Sequence, residues 1–209
     1  MTSKRQRRSL PRVTAALTMV VSLLGCGGER PSRQDDAHAI PPSNGAPAGA
    51  SIFDLELPLI DHEGTKLTLA DLGGHVMLAA MVYTSCTSVC VLVTEDMKAI
   101  ERQLSGTDDG VRFVLFSLDP GRDTPAAMRQ FAANQRLDTT RWRLVAASED
   151  GVRDLAAVLD VKYRAEEDGE IAHSAMIFVI DREGVVRHRQ LGVGRDAEPL
   201  KAALAQARR

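Results

Sequence analysis

Residues 51–209 predict an α/β fold, a mixed central sheet with flanking helices and an N-terminal β extension. Three observations carry that prediction. Apolar runs of strand length alternate with stretches of helical periodicity. The C-terminal third closes on two consecutive strand-like runs and a helix. A short strand-like run precedes the whole series, giving the order β-α-β-α-β-α-β-β-α behind an extension. The chain has 209 residues, 44% of them apolar and 26% charged, which is ordinary for a globular protein and enough for one good-sized domain.

Each element has a local reason. "FDLELPLI" (53–60) reads as a strand and "DHEGTK" (61–66) as a turn, followed by the buried strand "HVMLAAMVY" (75–83). Val89, Val93, Met97, Ile100 and Leu104 recur at spacings of three and four, which makes 88–104 an amphipathic helix. "VRFVLFSL" (111–118) is a second β-rich run. "DTPAAMRQFAANQ" (123–135) carries a helix start, with Asp123 or Thr124 as N-cap and Pro125 in the first turn. "WRLVAA" (142–147), the helical "EDGVRDLAAVLD" (149–160), and "SAMIFVID" (174–181) with "VVRHRQL" (185–191) follow. The last two form a hairpin about Arg182-Glu183-Gly184, and 196–207 is a closing helix. Thioredoxin-like folds have this shape, with their active cysteines where the first central strand meets its helix. "YTSCTSVC" (83–90) falls there.

The N-terminus reads as export machinery. A basic segment, Lys4 to Arg12, precedes the apolar "VTAALTMVVSLL", which is too short to span a bilayer as a helix. "LLGC", ending at Cys26, resembles the lipobox of bacterial lipoproteins. That resemblance implies that Cys26 is lipidated and becomes the mature N-terminus; the alternative is a plain signal peptide with an incidental cysteine. The expected organisation is a signal peptide over 1–25, a lipid-anchored tether over 26–50 rich in Gly, Pro, Ala and Ser, and a folded domain over 51–209. The domain would stand outside the cytoplasm, held to the cell envelope, where a disulfide can persist. Residues 51–209 carry 19 basic against 25 acidic side chains, a net charge of −6. With no basic stripe, that balance argues against a nucleic-acid partner.

Cys86 and Cys90 leave three readings open: a disulfide switch, two ligands of a soft metal, or two small core residues. At a strand-to-helix junction the helix N-terminus favours thiolates, so both thiols are expected to be activated. Four positions apart, they can share a helix face. A CxxxC pair alone is a weak signal, and a third ligand would sharpen it. His38 falls in the tether, His62 in a turn, His75 at the head of a buried strand, and His188 in a polar strand. His173 is expected in a loop entering "SAMIFVID", a loop that in a thioredoxin-like sheet passes beside the cysteines. Two thiolates and an imidazole suit Cu(I) through sulfur and Cu(II) once nitrogen joins, whereas a closed zinc site wants a fourth ligand. A peroxidase reading would need one activated cysteine with a nearby Arg and Thr or Ser, for which Arg141 and Thr84 are available.

The Cys86/Cys90 pair, "SLDPGRDTP" (Ser117 to Pro125) and "HSAMIFVID" from His173 together resemble the Sco/SenC family over about residues 55–205. Its members are membrane-tethered, thioredoxin-like copper proteins of the bacterial envelope and mitochondria. The resemblance implies that Cys86, Cys90 and His173 are copper ligands, for Cu(I) and Cu(II). It also implies a metallochaperone that serves the binuclear copper site in the copper-bearing subunit of cytochrome c oxidase, or another envelope copper or thiol protein, by delivering copper or keeping thiols reduced. Asp119 and Arg122 lie on the family's loop and are expected to order the site through hydrogen bonds rather than ligation. The alternative is a thiol–disulfide oxidoreductase in which Cys86 and Cys90 are the redox-active pair and copper plays no part. The chain departs from the family's CPxxCP pattern at Thr87, Ser88 and Val91. That departure loosens the loop and removes a negative charge near the sulfurs.

Overall fold

A computed structural model describes residues 49–104 and 110–209. The signal segment, Cys26, His38 and the tether up to residue 48 lie outside the described residues.

A seven-stranded sheet organises the domain. Its first two strands, β1 (Pro58–Asp61) and β2 (Lys66–Thr68), form an antiparallel hairpin. The Asp61 carboxylate closes its turn by accepting from the backbone N–H of Glu63 (3.0 Å) and Thr65 (2.8 Å). The centre is β3 (Val76–Val82), parallel to β4 (Val111–Ser117), which is in turn parallel to β5 (Trp142–Ala146). Every residue of β3 is buried, which explains an uninterrupted apolar run in place of alternation: a central strand covered on both faces has no solvent side.

Four helices pack on this sheet: α1 (Val89–Leu104), α2 (Pro125–Gln135), α3 (Glu149–Leu159) and α4 (Glu198–Ala207). Val93, Met97 and Ile100 form the buried stripe of α1. Thr124 caps α2, its side chain accepting from the Ala127 N–H, with Pro125 opening the first turn; Ser148 caps α3 in the same way on Gly151. Both helices end on a left-handed residue, Arg136 and Asp160.

A small antiparallel ribbon, β6 (Tyr163–Ala165) with β7 (Ile171–His173), stands apart from the main sheet. The chain then enters β8 (Met176–Ile180), antiparallel to β3, and β9 (Val186–Leu191), completing the order β2-β1-β5-β4-β3-β8-β9.

Besides adding β2 and the β6–β7 ribbon, the structure differs from the sequence expectation in two places. The run 53–60 is not one strand: Ile52–Asp54 is a 3-10 turn, and the strand begins at Pro58. Ser51 and Asp54 form a reciprocal capping box there, which satisfies backbone donors locally and outcompetes the extended form. His173 is not in a loop but closes β7, opposite Tyr163.

Candidate metal centre

The site forms at the C-terminal edge of β3. After Val82 the chain turns, with the Cys86 N–H bonded to the Tyr83 carbonyl at 3.2 Å, and α1 begins at Val89. Cys90 is therefore in the first helical turn and Cys86 in the loop before it. Both are buried free thiols. Across from them, the Nε2 atom of His173 lies 3.5 Å from Cys90 Sγ. The Nδ1 atom of His173 is 3.2 Å from the Ser174 carbonyl oxygen. A carbonyl only accepts, so Nδ1 carries the proton of that bond and Nε2 turns its lone pair toward the thiol. Burial lowers the His173 pKa, with the Ser174 contact acting in the opposite sense, and the ring stays neutral and able to ligate at neutral pH. The imidazole opens onto a shallow depression of about 430 Å³ lined by Lys162, Tyr163, Arg164, Ala172, Ser174 and Leu191. Among the described residues, no group of three or more His, Cys, Asp or Glu side chains is already gathered closely enough to hold a metal ion.

The two thiols are chemically unequal, which corrects the expectation that both are activated. Burial works against a Cys86 thiolate. Hydrogen bonds from the Cys90 and Ser88 backbone and from the Cys90 thiol outweigh it, and the Cys86 pKa falls. Cys90 is fully enclosed, and burial drives its pKa far upward, with Cys86 and Asp123 adding to the rise. The helix terminus stabilises a thiolate only where the sulfur keeps its donors; an enclosed sulfur meets the desolvation cost first. Of the two, Cys86 is the more readily ionised, and Cys90 keeps its proton. A soft cation is what would offset a second thiolate there, since a metal-bound sulfur is deprotonated. The donor set therefore fits a soft metal ion such as copper.

Asp119 and Arg122 make no contact with sulfur or imidazole. The Arg122 guanidinium pairs with the Asp119 carboxylate and donates to the Gly169 carbonyl at 2.6 Å. It links the 117–123 loop to the turn of the β6–β7 ribbon.

Two residues escaped the sequence reading. Asp123 does not cap α2. Its buried carboxylate accepts from the Thr84 N–H (3.0 Å), the Thr84 hydroxyl (2.6 Å) and the Ser117 hydroxyl (2.6 Å), tying the cysteine loop to the end of β4. The sequence signal was an Asp placed before a Thr that can itself cap. Tyr83, 2% exposed, donates its hydroxyl to Glu170 Oε2 at 2.6 Å and sets its ring edge-on to His173 at 6.0 Å between centroids. The signal was a hydroxyl-bearing aromatic ending an aliphatic strand, because a buried phenol needs a partner.

The remaining candidates separate from the site. Thr84 is committed to Asp123. Arg141 sits over the Phe113 ring, 5.2 Å from its centroid, and lies 3.9 Å from Glu101. In the parallel register Phe113 is level with Leu78 and Trp142, which puts Arg141 at the opposite end of the sheet from Thr84. The peroxidase arrangement is absent. His62 is buried, its Nδ1 accepting from the Leu144 N–H at 3.3 Å, and His75 is exposed.

A dithiol at a strand-to-helix junction, with an imidazole offered by a ribbon beside it, defines a thioredoxin-like thiol protein suited to a soft metal. Comparison with known proteins gives the family. The SCO1/SenC family model matches residues 46–207, and the chain belongs to that family. It is 26% identical over 136 residues to the SCO1 protein homolog of Bacillus subtilis (strain 168), covering 64% of this chain and 70% of the relative. Among solved structures, a SCO1/SenC family lipoprotein from Bacillus anthracis aligns with a TM-score of 0.65 at 23% identity, over 73% of this chain and 94% of that one. Bradyrhizobium japonicum ScoI with copper bound aligns at 0.60 and 24%, over 72% and 96%. BsSco, described with a disulfide switch as a member of the Sco family of cytochrome c oxidase assembly proteins, aligns at 0.65 and 23%, over 72% and 90%. These likenesses establish the thioredoxin-like fold.

Proposed function

We propose that this chain is an envelope copper metallochaperone. It takes one copper through Cys86, Cys90 and His173 and assists assembly of the binuclear copper site of cytochrome c oxidase. The observation that carries the reading is the approach of His173 Nε2 to Cys90 Sγ, with Nδ1 already committed to a carbonyl. Membership of the family and the copper-bound relative support it.

The chain's own residues do the following. Cys86, already the more acidic thiol, captures Cu(I); Cys90 gives up its proton to complete the two-thiolate set. His173 adds nitrogen for Cu(II), which prefers a harder, higher-coordinate environment. Delivery runs by ligand exchange, with a partner's thiolate replacing first one sulfur and then the other, and Cys90 regaining its proton. The depression around His173 is where a second protein can approach the imidazole. The partner is the copper-bearing oxidase subunit or another envelope copper or thiol protein. Among the described residues no helix is long and apolar enough to cross a membrane. In this reading the anchor is lipid on Cys26, exposed once residues 1–25 are removed, with 26–50 as tether and 51–209 as the working domain.

The unequal thiols favour a second reading, a thiol–disulfide oxidoreductase. The Cys86 thiolate attacks a partner disulfide, one partner sulfur leaves as thiolate and takes the Cys90 proton, and Cys90 then attacks Cys86 Sγ. The partner's second thiolate is released, and the chain is left with a Cys86–Cys90 disulfide.

His173→Ala separates the two. Cu(II) affinity is expected to fall more than about 100-fold, the upper range that loss of mere outer-shell support reaches. Cu(I) affinity and disulfide reduction should stay within about tenfold of the parent, because the sulfurs are intact. Unchanged Cu(II) affinity in competition titrations would refute the ligand assignment.

A further inference from the structure

We propose that Tyr83 is the positioning residue for His173: its hydroxyl pins the β6–β7 ribbon against the cysteine loop and so sets where the imidazole stands relative to the two sulfurs. This deepens the metal reading and rests on His173 being a ligand.

The ribbon needs an external anchor. Its strands are three residues each and lie outside the main sheet, and an isolated two-stranded ribbon is marginal in water. Tyr83 supplies an anchor from rigid ground, being the residue that follows the wholly buried β3. Its hydroxyl donates to Glu170 Oε2 at 2.6 Å and accepts the Ile171 N–H at 3.3 Å. Glu170 immediately precedes β7, Ile171 opens it and His173 ends it. Fixing Ile171 therefore places His173, about 7 Å along the same strand. The ring of Tyr83 meets the imidazole edge-on, at 76°, and its backbone carbonyl accepts the Cys86 N–H at 3.2 Å. One residue thus touches both ligand-bearing segments. Arg122, through Gly169, holds only the far turn of the ribbon.

Tyr83→Phe keeps the ring and removes the pin. In the reduced, metal-free full chain, amide hydrogen exchange at Ile171 and His173 is expected to quicken at least about tenfold, from loss of roughly one buried hydrogen bond. Cu(II) affinity should drop about tenfold while Cu(I) affinity stays within about twofold, since outer-shell supports act on the ligand they orient. Glu170→Gln preserves an acceptor for the phenol and should behave as the parent, a rescue that simple packing would not show. Glu170→Ala, at an exposed position, reports the same loss should Tyr83→Phe fail to fold. Parent-like exchange in both Tyr83→Phe and Glu170→Ala overturns the proposal. So does faster exchange with unaltered Cu(II) affinity in a chain whose His173→Ala variant has lost that affinity. A parent chain that binds no Cu(II) sinks the metal reading, and the exchange rates alone then decide whether Tyr83 holds the ribbon.

Discussion

Cys86→Ser and Cys90→Ser are each expected to lower Cu(I) affinity by more than about 100-fold, and the double variant to retain no copper. Serine is close in size, so packing around these buried positions changes little, but its hydroxyl is a hard donor that stays protonated at neutral pH. A soft ion left with one thiolate loses most of its binding energy. The two variants part company in redox chemistry. Cys86→Ser removes the more acidic thiol and with it the attack on a disulfide. Cys90→Ser leaves that attack possible but removes the sulfur that resolves the mixed disulfide, so a covalent complex with the substrate accumulates. Chelator-competition titrations and non-reducing gels read the two effects independently.

Asp123→Ala is expected to be the most destabilising single change near the site. It strands three donors, the Thr84 N–H and the Thr84 and Ser117 hydroxyls. A buried donor without a partner costs about 1–3 kcal/mol, and the hydroxyls can partly reorient, so the total is about 3 kcal/mol. In a domain of this size that lowers Tm by about 6–12 °C. The pH dependence has a definite sign. Burial holds the Asp123 carboxyl above its ordinary value of 3.8 in spite of its donors. The native state therefore binds that proton more tightly than the unfolded chain. The stability tied to this group is complete below pH 3.8 and is lost as pH rises through the raised native value. The stability of the parent relative to Asp123→Asn should accordingly be greater near about pH 4 than near about pH 7. Urea unfolding at the two pH values measures it.

Much of this architecture was legible in the sequence because burial writes itself as pattern. The seven-residue apolar run of β3 and the stripe of Val93, Met97 and Ile100 have no other economical reading, and the cysteine loop lies at their junction. The β6–β7 ribbon was not legible. "YRAEEDGEIAH" is polar and lacks periodicity, and its strands are held by Tyr83 and Arg122 from elsewhere in the chain, so nothing local encodes them. His173 was singled out for its neighbourhood, but its tautomer and its distance to Cys90 depend on that ribbon. Asp123 looked like a cap because Asp-Thr-Pro satisfies the rule twice; only the fold shows Thr124 taking the cap and Asp123 turning inward. The inequality of the cysteines was hidden for a related reason. The helix terminus acts on both, and which sulfur keeps its hydrogen-bond donors is decided by packing.

The most direct test of the copper reading is a Cu(II) titration of the reduced chain, followed by visible absorption and EPR. The expected result is one copper per chain with a sulfur-to-copper charge-transfer band and an EPR signal from a mixed sulfur and nitrogen environment. Thiols oxidised to a Cys86–Cys90 disulfide with no copper retained would contradict it, and would leave this chain a redox protein.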